Sequence, residues 1–147
     1  MLSPSFPQRA PWGTADRLRA WQREALEEYF RIPDRRDFLV AATPGAGKTT
    51  FALTLAVELL RTNEVDRVIV VAPTEHLKTQ WADAAARVHI RLDPRFRNSH
   101  WAPSRQYHGV VVTYAQVAAK SSVHKHLTEG ARTLVIRGET DRVVPRE

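Results

Sequence analysis

Ala42-Thr43-Pro44-Gly45-Ala46-Gly47-Lys48-Thr49, followed by Thr50, is the stretch on which the fold turns. A small residue, four spacers and then Gly-Lys-Thr is the phosphate-binding loop pattern, with Ala42 in place of the usual first glycine. Ahead of it, residues 37–41 (Asp-Phe-Leu-Val-Ala) form a short apolar run that reads as a buried strand. Behind it, residues 51–61 carry Phe51, Leu55, Leu59 and Ala52, Ala56, Leu60 at the spacing of one helical face. Strand, glycine loop and helix in that order are the context the pattern needs. A glycine-containing turn before a core helix is the plain alternative.

Gly45 and Gly47 carry no side chain to block backbone N–H groups from converging on one concavity. Set at the positive end of the following helix, that concavity suits a polyphosphate. Lys48 is placed to reach the β- and γ-phosphates, and the Thr49 hydroxyl to ligate Mg²⁺. Residues 42–50 as a whole are the nucleotide-binding segment, with ATP and Mg²⁺ as the expected cofactors.

The chain has 147 residues, enough for one sizeable core, and an ordinary apolar fraction of 43%. No apolar run approaches the length of a membrane span, and the proline-bearing N-terminus lacks the apolar core of a signal peptide. Cysteine is absent, which excludes disulfides and thiolate metal sites. These features fit a cytoplasmic protein with no membrane partner. A net charge of +6 is consistent with a polyanionic partner and equally with an inert basic surface.

Three segments organise the chain: an irregular lead-in over residues 1–16, a domain over 17–136 and a polar, unpatterned tail over 137–147. Residues 18–30 predict a helix with Leu18, Trp21, Ala25, Leu26, Tyr29 and Phe30 as its apolar stripe and Asp16 as its cap. Residues 67–72 and 109–113 are continuous apolar runs, the signature of strands buried on both faces of a parallel sheet. Residues 133–136 predict a further strand. Helices are expected over 77–88, 114–120 and 124–128. Residues 91–106, with two prolines, four arginines and Trp101, predict a loop excursion with room for a short strand. Alternating strands and helices imply an α/β fold with a parallel sheet flanked by helices. Ligands then sit beyond the carboxyl ends of the strands, so the phosphate loop, Pro73-Thr74, Thr113-Tyr114 and residues 137–139 should share one rim. His124 and His126 have no companion at metal-site spacing.

Four segments, in order, resemble the first RecA-like domain of superfamily 2 helicases, nearest the DEAD/DEAH-box and type III restriction-subunit group. Leu18-Arg19-Ala20-Trp21-Gln22 resembles the upstream glutamine motif, residues 42–49 motif I, and residues 72–81 (Ala-Pro-Thr-Glu-His-Leu-Lys-Thr-Gln-Trp) motif Ia. Val111-Val112-Thr113-Tyr114 resembles the later motif at the end of a central strand. The resemblance spans about residues 18–136 and implies a P-loop NTPase that couples ATP hydrolysis to movement on DNA or RNA. It implies that Gln22 reads the adenine edge, an amide being able to donate and accept toward N7 and the N6 amine. It implies that Thr74, Gln80 and Thr113 touch the sugar–phosphate backbone, contacts that carry no base sequence. Thr74 also suits the cap of the helix that follows, and Trp81 suits core packing.

The departure from the pattern is as informative. Where the family places Asp-Glu-x-His after its strand, this chain has Gly138-Glu139-Thr140-Asp141. Glu139 falls in the position of the glutamate that polarises the attacking water and is, with Lys48, the expected catalytic residue. Gly138 replaces the aspartate, which should weaken both metal binding and hydrolysis. The family hydrolyses ATP between two RecA-like domains, and the second is not in these residues. The expectation is therefore an incomplete domain, truncated or frame-shifted near Arg137, weakly active or inactive alone, whose missing partner is a second RecA-like domain. A shifted reading frame near codon 137 should then reveal a continuing Asp-Glu-x-His sequence. The other readings are a stand-alone P-loop kinase of small molecules and a non-enzymatic nucleic-acid-binding remnant.

Overall fold

The computed structural model describes residues 18–32, 47–100, 105–129 and 131–138. Residues 37–46, which hold the expected first strand and most of the glycine loop, lie outside the described residues, as do Asp16, Trp101 and Glu139. The described chain runs α1 (Ala20–Arg31), α2 (Lys48–Arg61), β1 (Arg67–Ala72), α3 (Glu75–Arg87), β2 (Leu92–Asp93), β3 (Gly109–Thr113), α4 (Tyr114–Ala119), α5 (Ser121–Glu129) and β4 (Thr133–Arg137).

The four strands form one parallel sheet in the order β2-β3-β1-β4. β1 is central, and its alternation explains the unbroken apolar run. Val68, Val70 and Ala72 face one side with Leu53, Ala56 and Val57 of α2 and Ala85 of α3. Ile69 and Val71 face the other with Val110, Val112, Phe96 and the α5 residues Val123 and Leu127. Both faces are covered, so neither needs the polar alternation of a half-solvated strand.

α2 is buried on more than the single face its periodicity predicts. Phe51, Leu55 and Leu59 meet Leu26 and Tyr29 of α1, while Leu53, Ala56 and Val57 meet the sheet. The helix is sandwiched between α1 and β1, and its polar residues must be satisfied inside. The Thr54 hydroxyl donates to the Thr50 carbonyl at 2.7 Å. Glu58, fully buried, holds the Arg61 guanidinium at 2.9 Å.

Gly109 opens β3 where the sheet is tightest. A Cβ there would lie 1.6 Å from the Val68 carbonyl oxygen. No side chain fits that approach, and only glycine lets β3 pair with β1 from its first residue. α1 begins at Ala20, two residues later than its apolar stripe suggests, because Arg19 is extended and its N–H donates to Gln22 Oε1 at 2.8 Å. α5 is longer than the predicted 124–128 at both ends.

Candidate nucleotide and nucleic-acid site

The carboxyl ends of three strands define the rim. Register pairs Ala72 with Thr113 and Val71 with Arg137, so the segments leaving β1, β3 and β4 emerge side by side. Gly138 N–H closes the arrangement by donating to the Val71 carbonyl at 2.8 Å, and the Tyr114 hydroxyl donates to the Gly138 carbonyl at 3.1 Å. The α2 N-terminus lies at this same end. A helix of 14 residues rises ~21 Å, and the short link to β1 returns over six strand residues, ~20 Å, in the opposite direction.

Gly47 is the N-cap of α2 with φ +91°, a left-handed conformation that only glycine adopts without strain. Its carbonyl accepts from the Phe51 N–H at 3.0 Å and from Gln22 Nε2 at 2.8 Å. Among the described residues no side chain caps α2, so none satisfies the N–H groups of its first turn by capping. Lys48 and Thr49 open that turn and are partly exposed. A free helix start with a cation and a hydroxyl at its first two positions fits an anionic phosphate chain.

Gln22 is 3% exposed. Its Oε1 takes the Arg19 N–H and its Nε2 donates to Gly47, so the amide stitches the start of α1 to the start of α2. A Cβ on Gly47 would lie 2.4 Å from that same Nε2. The segments expected to form the glutamine motif and the end of the phosphate loop are thus in direct contact, through Gln22 and the Gly47 carbonyl.

Position 138 is tight, so an aspartate there would require its neighbours to give by a few tenths of an ångström. A Cβ there would stand 3.0 Å from the Trp81 indole nitrogen and 3.4 Å from the Val71 carbonyl. Trp81, whose ring also packs on the core as expected, supplies the nearest of these contacts. Among the described residues no group of three or more His, Cys, Asp or Glu side chains is placed to hold a metal. Thr49 is the one described residue of the motif set offering a metal ligand.

The residues expected to touch nucleic acid are distributed unequally. Thr74 is exposed and caps α3, its hydroxyl accepting from the Leu77 N–H at 3.2 Å, as its sequence position suggested. Gln80 is exposed and its amide donates to the His76 ring nitrogen at 3.1 Å. Thr113 is 5% exposed, and its hydroxyl accepts from the Gln116 N–H at 3.1 Å to cap α4. Behind these three lies a polar junction that sequence patterns do not reveal. Gln116 Oε1 accepts from the Thr113 N–H at 2.9 Å and from Lys78 Nζ at 3.1 Å. Its Nε2 donates to the Phe96 carbonyl at 3.0 Å, and its own carbonyl accepts from Asn98 Nδ2 at 3.0 Å. Asn98 Oδ1 in turn lies 2.9 Å from His124 Nε2. Because an amide oxygen only accepts, His124 carries its proton on Nε2, and its buried Nδ1 has no hydrogen-bond partner among the described residues. Burial pushes the His124 pKa down, against a raising contact with the Gln116 backbone.

The family model described as "Type III restriction enzyme, res subunit" matches residues 16–143. An uncharacterized protein of Mycobacterium tuberculosis (strain ATCC 25618 / H37Rv) is 56% identical over 122 residues, covering 83% of this chain and 20% of the relative. One from Mycobacterium leprae (strain TN) is 55% identical over the same length and shares. The chain therefore spans about a fifth of the length of these relatives. No solved structure gives a significant match. Among the described residues, no helix is long and apolar enough to cross a membrane.

Proposed function

The chain belongs to the type III restriction enzyme res subunit family, a group of helicase-like ATP-binding domains with the RecA-like α/β fold, and on that premise we propose that it binds ATP at the α2 N-terminus and a nucleic-acid backbone along the adjoining rim. The observation that carries this reading is the α2 start: Gly47 left-handed, no side-chain cap, Lys48 and Thr49 next in line, and Gln22 fastened to Gly47. Gly47 exposes the backbone donors, and Lys48 sets a positive charge against the phosphates. Thr49 offers its hydroxyl to Mg²⁺, which when bound neutralises charge on the phosphoryl group being transferred. Residues 42–46 and Thr50 complete the loop. Gln22 acts on the nucleotide first through Gly47; reading adenine directly requires its second amide hydrogen or release of that carbonyl. Thr74 and Gln80 contact the sugar–phosphate backbone, and Thr113 supports them from beneath by holding α4.

Hydrolysis coupled to movement on DNA or RNA is the activity proposed for the larger assembly, with Glu139 polarising water and a second RecA-like domain facing this one. In this chain alone the reaction is weak or absent. Gly138 in the aspartate position, tight against Trp81, favours a domain that binds both ligands without efficient turnover.

Titration of the chain with fluorescent ATP, with and without Mg²⁺ and with GTP as competitor, tests the proposal. Saturable binding that Lys48→Ala abolishes is the expected result. Unchanged affinity in folded Lys48→Ala defeats the phosphate-loop assignment.

A further inference from the structure

The segment that carries β2 and runs on toward β3 is basic, and no motif accounts for its charge. Residues 91–106 hold four arginines against a single aspartate. Within it, Phe96 is 1% exposed and packs under the sheet face formed by Ile69, Val71, Val110 and Val112. Its neighbours Arg95 and Arg97 are both exposed, and among the described residues neither guanidinium has an ion-pair partner. Phe96 thus acts as a peg that turns the two flanking arginines outward.

The peg sits at the rim rather than far from it. Gln116 donates to the Phe96 carbonyl while accepting from Thr113 N–H and Lys78 Nζ. Asn98 ties the far side of the segment to the Gln116 carbonyl. One half-buried amide therefore ties three things together: the end of β3, the first turn of α3 and the arginine-bearing segment. Lys78 is itself 5% exposed and engaged with Gln116 and Glu75, so its charge is spent internally. Arg95 and Arg97 are exposed cations flanking Phe96, whose carbonyl shares Gln116 with the Thr113 N–H.

We infer that residues 95–97 form a further contact element for the sugar–phosphate backbone of a nucleic acid, with Arg95 and Arg97 pairing to phosphates and Gln116 as the positioning residue that sets them at the rim. The inference rests on the nucleic-acid reading of that rim. Guanidinium groups suit phosphates because their fork of donors matches two phosphate oxygens. Such contacts act by charge and are blind to base identity.

The test is the salt dependence of binding of the 147-residue chain to fluorescent oligo-dT and oligo-U. Each phosphate contact on a single strand contributes about 0.7 to the slope of log affinity against log salt. Arg95→Ala/Arg97→Ala should lower the slope by about 1.4 and weaken binding roughly 25-fold at 0.1 M salt relative to 1 M. Arg87→Ala/Arg132→Ala removes the same charge from the opposite end of the sheet and should leave the slope nearly unchanged. Gln116→Leu should lower the slope toward that of the arginine variant, keep ATP affinity, and add nothing further in the Arg95→Ala/Arg97→Ala background. A slope unaltered by the arginine pair, with wild-type chain binding normally, overturns the inference and leaves the rim reading intact. Equal losses from both arginine pairs also overturn it, since net charge then suffices. Additive loss from Gln116→Leu removes its positioning role. Failure of the wild-type chain to bind either oligonucleotide overturns the inference together with the reading on which it rests.

Discussion

Gln22→Ala separates two ways in which a glutamine ahead of a phosphate loop can matter. The side chain is 3% exposed and makes two hydrogen bonds at 2.8 Å, one to Arg19 N–H and one to the Gly47 carbonyl. The first is an N-terminal helix contact, worth about 1 kcal/mol by analogy with capping residues. The second is a neutral bond in a buried place, worth about 1 kcal/mol net. Loss of the buried Cγ adds about 0.8 kcal/mol. Thermal or denaturant unfolding should therefore show a loss of about 2–3 kcal/mol. Only the Gly47 bond bears on the loop, and Gly47 keeps its bond from the Phe51 N–H. About 1 kcal/mol of nucleotide affinity should go, close to fivefold. If Gln22 acts through the loop, ATP and GTP weaken by the same factor in a fluorescent-nucleotide competition assay. If it reads the base, ATP weakens and GTP does not. The second outcome, in a variant that remains folded, refutes the argument from Gly47.

Gly109→Ala places a Cβ 1.6 Å from the Val68 carbonyl, so β3 must shift from β1, and a loss of at least about 3 kcal/mol or failure to fold is expected by circular dichroism and urea unfolding. Gly138→Asp restores the family's aspartate in sequence but drives its Cβ toward the Trp81 indole; the variant should be less stable and gain no ATPase activity in a phosphate-release assay. Recovery of turnover by that single change would show that Trp81 yields freely. Stability should fall on mild acidification. Burial lowers the folded-state pKa of His124, and burial followed by the nearby Arg91 charge lowers that of His108. The unfolded chain therefore binds protons first as pH drops through its ordinary histidine value near 6.5, and the folded state loses ground until its own lower values are reached. Urea midpoints compared at pH 7.5 and 5.5 read this directly, and an equal midpoint at both would refute it.

Much of the architecture is legible in the sequence, for identifiable reasons. β1 and β3 announce themselves because both faces of a central parallel strand are buried, which writes an unbroken apolar run. α3 is delimited by Thr74, whose hydroxyl caps it as its position suggests. The α2 periodicity identifies the helix but understates its burial, since Leu53 and Val57 belong to a second face that appears only once α1 is laid across the first. β2 is two residues long and owes its existence to pairing with Gly109 and Val110, a tertiary effect with no local signature. The rim follows from the rule that α/β ligands sit at strand ends, together with the motif resemblance. Its internal wiring does not. Gln116, Asn98, Lys78 and His124 are polar residues on separate elements, and nothing in their spacing says that they meet. Nor does the motif reveal that Trp81 stands against Gly138.

The placement of β1 has a consequence for how the chain acquires its structure. β1 is made early, yet both its neighbours come later: β3 pairs from Val68 to Gly109, and β4 from Arg67 to Thr133. Each pairing closes a long loop before any strand-to-strand contact rewards it. During synthesis the Val-Ile-Val-Val run of β1 and the sheet-facing side of α2 lack their full set of strand neighbours until β3 and then β4 have been made. The nascent chain is thus at its most aggregation-prone in that interval.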